Sequence, residues 1–108
     1  MQAATFSALG EPSRLQIVEL LGLRPYAVGE IAEALGIRQP QVSKHLRVLS
    51  ESGIVRAERR ARRRIYHLQA EPFAEITRWA ESFEALWDAR LDALGDYLRT
   101  TEDEEHRP

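Results

Sequence analysis

Apolar residues recur at steps of three and four along most of this chain, and the pattern breaks at glycine and proline. Ala3 to Leu9 suits a short helix with Phe6 and Leu9 turned inward, ended by Gly10. Pro12 is tolerated in a first turn and opens a helix to Leu23, with Leu15, Ile17, Val18, Leu20 and Leu21 as a broad apolar face. Val28, Ile31, Ala32 and Leu35 predict a third helix over Val28 to Leu35, and Gly36 then supplies a turn. A fourth helix begins near Pro40 and runs to about Ser52. Its proline pushes Gln39 into an extended, cap-like conformation. Val42, Leu46 and Leu49 form its buried stripe; Gln41, Lys44, Arg47 and Val48 point away, with Ser43 and His45 on the flanks.

After Gly53 the period shortens. Ile54 to Arg59 and Arg63 to Leu68 read as two short strands around an exposed arginine-rich tip. Pro72 restores the helical period. Phe73, Ile76, Ala80, Phe83, Trp87, Leu91, Leu94 and Leu98 keep one stripe to about Leu98, widened by Trp79, Leu86 and Tyr97. Such a helix is roughly 40 Å long, more than a domain this small covers by itself. The acidic stretch from Thr100 to Pro108 is expected to be a disordered tail, leaving residues 1–99 as the folded domain. The whole reads as a mostly helical α+β domain: a winged helix-turn-helix with a two-stranded β-hairpin wing and a long C-terminal helix.

The chain of 108 residues carries a net charge of −2, but that charge is segregated. Residues 1–37 sum to −2, residues 38–70 to +7 and residues 71–108 to −7. The middle third can therefore be an electrostatic footprint for a polyanion although the whole is acidic. The absence of cysteine removes disulfides, thiolate metal sites and thiol catalysis together. His45, His67 and His106 are too scattered for a soft-metal site, so neither a metal nor a cofactor is expected. Ser13, Ser43 and His45 lack a triad context and no phosphate-cradling glycine loop occurs, so the chain is not expected to be an enzyme. No apolar run long enough to cross a membrane and no secretory leader pattern is visible, which makes a cytoplasmic location the expectation.

FSALGEPSRLQIVELL at positions 6–21, VGEIAEALGIRQPQVSKHLRVLSESGIVRAERRARRRIYHL at 28–68 and the last helix with Trp79, Trp87 and RLDALGDYL together resemble the ArsR/SmtB family of bacterial transcriptional regulators. The likeness is strongest to the non-metal subgroup often encoded beside START-like (SRPBCC) proteins. It implies a homodimeric repressor that binds double-stranded DNA at an inverted repeat in its own promoter. Carried over by position, Gln39, Gln41, Ser43, Lys44, His45 and Arg47 would face the major groove. Arg59, Arg60, Arg62, Arg63 and Arg64 would form the wing. Phe6, Leu9, Ile76, Trp79, Phe83, Leu86, Trp87, Leu91, Leu94 and Leu98 would bury against a second copy.

The chain departs from the family pattern twice. The family's thiolate sensor positions hold Ala27 and Gly29, and Ala61 stands where the wing turn usually has glycine, which argues against a tight positive-φ hairpin. The residues leave several points open. Glutamine can pair with adenine and lysine with guanine, but pattern alone does not say which group reads a base and which touches phosphate. His45 serves equally well as a DNA contact or as a hydrogen-bonding group within the fold. Strand alternation forbids all the wing arginines from facing one way; Arg60 and Arg62 at the tip are expected to meet DNA with some of the others, while the remainder cover apolar surface or pair with acidic residues. A small-molecule effector is left open. So is a role as a protein-interaction or RNA-binding adaptor, since the fold alone does not exclude it.

Overall fold

The computed structural model describes residues 3–105. The elements run α1 (Ala3–Leu9), α2 (Pro12–Leu21), β1 (Tyr26–Ala27), α3 (Val28–Leu35), α4 (Gln39–Glu51), β2 (Val55–Arg60), β3 (Arg63–Leu68) and α5 (Ala70–Glu105). They fall into two compact units, residues 1–75 and residues 76–108.

The first unit is organised on six side chains with no exposed area: Ile17 from α2, Ile31 from α3, Val42, Leu46 and Leu49 from α4, and Ile54 before β2. Burial of side chains this size is worth about 1.5–3 kcal/mol each, which fixes the three helices against one another. Local chemistry sets their ends. Glu11 is extended and its Oε2 accepts from Arg14 N at 2.9 Å, capping α2. Arg14 then reaches back, its Nε donating to Ala8 O at 2.6 Å and its Nη2 to Ser7 O at 3.2 Å. One arginine thus satisfies carbonyls at the end of α1 and fixes the α1–α2 corner, which explains the GEPSR segment better than any apolar pattern does. Gly36 closes α3 in the left-handed region at φ 65°, and Ile37 N donates to Ala32 O.

β1 pairs antiparallel with β3, which also pairs with β2, giving the order β1-β3-β2. The sequence reading expected two strands. β1 spans only Tyr26 and Ala27, too short to alternate, and forms because β3 offers a free edge. In α1 it is Thr5 and Ala8 that are buried; Phe6 is 40% exposed, and Leu9 is half-buried against the core of its own chain. Leu15 likewise leaves the expected apolar face of α2, at 44% exposed. Helix α4 starts one residue before the expected proline: Arg38 is its N-cap, Gln39 is already helical and Pro40 still lies in the first turn, where no hydrogen bond is lost. Val48 is half-buried against the core rather than pointing outward.

The second unit is the length of α5 from Ile76. Trp79, Phe83, Leu86, Trp87, Leu91, Leu94, Tyr97 and Leu98 are all exposed, between 43% and 67%. Trp79 and Phe83 meet edge to face at 4.9 Å between centroids. The helix does not stop near Leu98 but continues to Glu105. Arg99 pairs with Asp96, and the hydroxyls of Thr100 and Thr101 donate to the carbonyls of Asp96 and Tyr97. The helix thus runs into residues expected to be a tail; residues 106–108 lie outside the described part.

The wing turn also departs from expectation. Register pairs Arg60 with Arg63, so Ala61 and Arg62 form a two-residue loop, and Ala61 takes φ 54°. The hairpin is tight after all, with a non-glycine residue in the left-handed region at a cost of about 1 kcal/mol. Ala61→Gly is therefore expected to stabilise the protein by up to about 0.5 kcal/mol, after the added freedom of glycine in the unfolded chain is counted. A rise of a few degrees in the thermal midpoint would show it; a lower midpoint would contradict the strained turn.

Candidate nucleic-acid interface

Helix α4 presents three kinds of surface. Val42, Leu46 and Leu49 are buried. Gln39, Ser43 and Arg47, one helical step of four apart, face the wing across an open groove of about 690 Å³. Gln41 and Lys44 are exposed beside this row. His45 is turned into the fold: its Nδ1 lies 3.7 Å from Glu11 Oε2, and only 21% of its side chain is exposed. That separation is longer than a hydrogen bond, so the ring is half-buried beside Glu11 without being tied to it.

The hairpin register sorts the arginines. Arg59 lies opposite Arg64 and Arg60 opposite Arg63. Because side chains alternate, Ala57 and Arg59 share a face with Arg64 and Tyr66, and these four line the groove against α4. Arg60 and Arg63 belong to the opposite face. Like charges placed directly opposite on a hairpin repel, so both pairs cost stability unless compensated.

Compensation is uneven. Arg60 Nε lies 3.6 Å from Glu58 Oε1, and Arg63 Nη2 lies 3.1 Å from Glu30 Oε1. The Glu58 carboxylate also accepts from His67 Nε2 at 2.6 Å. That hydrogen bond, with the nearby charges of Arg60 and Arg56, holds Glu58 below the ordinary glutamate range. Glu30 is held low chiefly by the Ala27 N–H, then by Arg63 and Arg24. Neither Arg59 nor Arg64 has a carboxylate within ion-pairing distance among the described residues. Arg62 is exposed at the tip.

The expected wing set is thus divided. Arg59, Arg62 and Arg64 have no carboxylate partner among the described residues, whereas Arg60 and Arg63 each pair with a glutamate while staying 73% and 59% exposed. Arg47 is intermediate, exposed but paired with Glu51 at 3.1 Å one turn on. The sequence reading missed the acidic partners: Glu58 is the only acidic residue in the hairpin, and Glu30 lies far from it along the chain. Arg24 was missed too. Its guanidinium sits 3.7 Å over the Tyr26 ring and 3.6 Å from Glu30 Oε2. Among the described residues no group of three or more His, Asp or Glu is placed to hold a metal ion, and no helix is long and apolar enough to cross a membrane.

This geometry has relatives. Residues 11–57 match the family described as bacterial regulatory protein, arsR family. The chain is 40% identical over 74 residues to the HTH-type transcriptional regulator NmtR of Mycobacterium tuberculosis, covering 68% of this chain and 62% of that protein. It is 35% identical over 77 residues to the uncharacterized HTH-type transcriptional regulator Rv0081 of the same organism, covering 70% of this chain and 68% of the other. The match to NmtR therefore spans a little under two thirds of that relative's length. Among solved structures, the homodimeric winged helix-turn-helix DNA-binding domain Mb0332 of Mycobacterium bovis superposes with a TM-score of 0.64 at 32% identity, covering 75% of each chain.

Proposed function

The chain belongs to the arsR family of bacterial regulatory proteins, and from that premise we propose that it is a homodimeric, sequence-specific DNA-binding repressor acting at its own promoter. One observation carries the reading. The hairpin holds Arg59 and Arg64 opposite each other, without a carboxylate partner among the described residues, on the face of the groove that Gln39, Ser43 and Arg47 line from α4. A fold keeps such a repulsive pair at a cost, and a phosphate backbone passing between helix and wing would remove that cost. Gln39, Gln41, Ser43 and Lys44 then supply amide, hydroxyl and ammonium groups for base edges, while Arg59, Arg62 and Arg64 hold the strands.

Dimerisation places two α4 helices on successive major grooves of an inverted repeat. Its surface is the stripe of Ile76, Trp79, Phe83, Leu86, Trp87, Leu91, Leu94 and Leu98, with Phe6 from α1. Apolar exposure of this extent on one helix is unusual for a surface meant to stay in water. Leu9 contributes little, being packed against its own core. We place the chain in the subgroup without a thiolate sensor: Ala27 is buried and paired with Ile65, and Gly29 has no side chain to offer.

A gel-shift with the DNA upstream of the chain's own reading frame tests this. The complex is expected to survive excess competitor. Its affinity should fall roughly a thousandfold between about 50 and about 200 mM salt if about six phosphates are neutralised. Arg64→Ala should flatten that salt slope by about 0.9 per protomer. A complex insensitive to salt, or one lost to competitor, would leave an adaptor role in its place.

A further inference from the structure

We infer that Glu30 is a positioning residue for the wing, tying the hairpin to the start of α3 through Arg63 and thereby removing Arg63 from the set that touches DNA. Four observations converge on this carboxylate. Oε1 accepts from Ala27 N at 2.9 Å, which anchors it to the backbone between β1 and α3. The same oxygen lies 3.1 Å from Arg63 Nη2, at the tip end of β3. Oε2 lies 3.6 Å from Arg24, itself stacked over Tyr26. Tyr26 and Ala27 are the two residues that pair β1 with Tyr66 and Ile65 of β3.

The base of the hairpin is held by Val55, Tyr66 and Leu68 in the core and by the two-residue strand β1; further toward its tip, the tie to the helical body is one charge bridge. Beyond Ile65 the β1 edge gives no support, and the Arg60–Arg63 and Arg59–Arg64 repulsions work to open the strands. The Glu30–Arg63 pair opposes that where backbone pairing has ended. With side chains 37% and 59% exposed, the pair is screened by solvent and adds little to global stability. Its effect is on where the wing stands relative to α4, and so on the width of the groove that holds Arg59 and Arg64.

The inference rests on the DNA-binding reading for its consequence but not for its geometry, and the test separates the two. Glu30→Gln keeps an oxygen for Ala27 N and removes only the charge. Amide hydrogen exchange on the free protein should show residues 59–64 at the tip exchanging about two- to fivefold faster in Glu30→Gln, in Arg63→Ala and in the double variant alike. Amides of α2 should be unchanged. On the promoter duplex, Arg63→Ala should weaken binding without altering the salt slope, whereas Arg62→Ala flattens it by about 0.9 per protomer. Exchange effects that add in the double variant, or that are absent from both singles, overturn the strut. A salt slope flattened by Arg63→Ala as much as by Arg62→Ala returns Arg63 to the phosphate contacts and overturns its removal from them. If the unaltered protein fails to bind DNA, the functional reading fails while the exchange measurements still decide the strut.

Discussion

A chain carrying Trp87→Glu together with Leu94→Glu is expected to sediment as a monomer at micromolar concentration and to bind an inverted-repeat duplex about 10² to 10⁴-fold more weakly. Both side chains lie on the exposed stripe of α5, 57% and 52% open to solvent in the single chain. Replacing them removes nothing from the core built on Ile17, Ile31 and Leu46, so the fold of residues 1–75 should persist. What disappears is the apolar area that repays association, and glutamates facing their own symmetry mates add repulsion. The loss in DNA affinity follows from tethering. In a dimer the second half-site is met at a high effective concentration, and in a monomer each half-site binds alone. Sedimentation and a titration on one half-site, where affinity should barely change, separate the dimer effect from a damaged α4. A double variant that stays dimeric would remove α5 from the interface.

The second large effect concerns stability. Leu46→Ala is expected to cost about 2–5 kcal/mol, since Leu46 is fully enclosed with Val42 and Leu49 on the same helix and the space left cannot collapse freely. That is a large share of the roughly 5–15 kcal/mol a domain has. Urea unfolding at one fixed protein concentration measures it, because dimerisation would otherwise shift the midpoint. Ser43→Ala on the exposed face of α4 makes the contrast. Its stability should stay within about 0.5 kcal/mol of the parent while operator binding weakens. A Leu46→Ala loss under about 1 kcal/mol would mean that α4 is not pinned as described.

How much could be read beforehand follows physical lines. The helices were legible because a buried stripe repeats every three or four residues, and Val42, Leu46 and Leu49 are enclosed as that spacing requires. Strand β3 was legible from its apolar run, whereas β1 was not, because two residues carry no period. Ala61 misled because the preference for glycine at positive φ is a cost of about 1 kcal/mol, which a hairpin held by six cross-strand residue pairs can bear. The end of α5 was misplaced because an acidic composition argues for a tail, while acidic side chains do not by themselves prevent helix, and α5 continues to Glu105.

By itself the sequence determined the order of elements, the enclosed stripe of α4, the basic middle third and the apolar stripe of α5. Each is a property of neighbours along the chain, expressed through periodicity or local charge. Only the tertiary structure decided which arginines pair with a carboxylate. Arg59 and Arg63 look alike in sequence, but strand register sends them to opposite faces of the hairpin. One meets the groove with α4 and the other meets Glu30, brought to it by the pairing of β1 with β3. Coulomb interaction depends on distance in space, and the 32 residues between Glu30 and Arg63 give no sign of a separation of 3.1 Å.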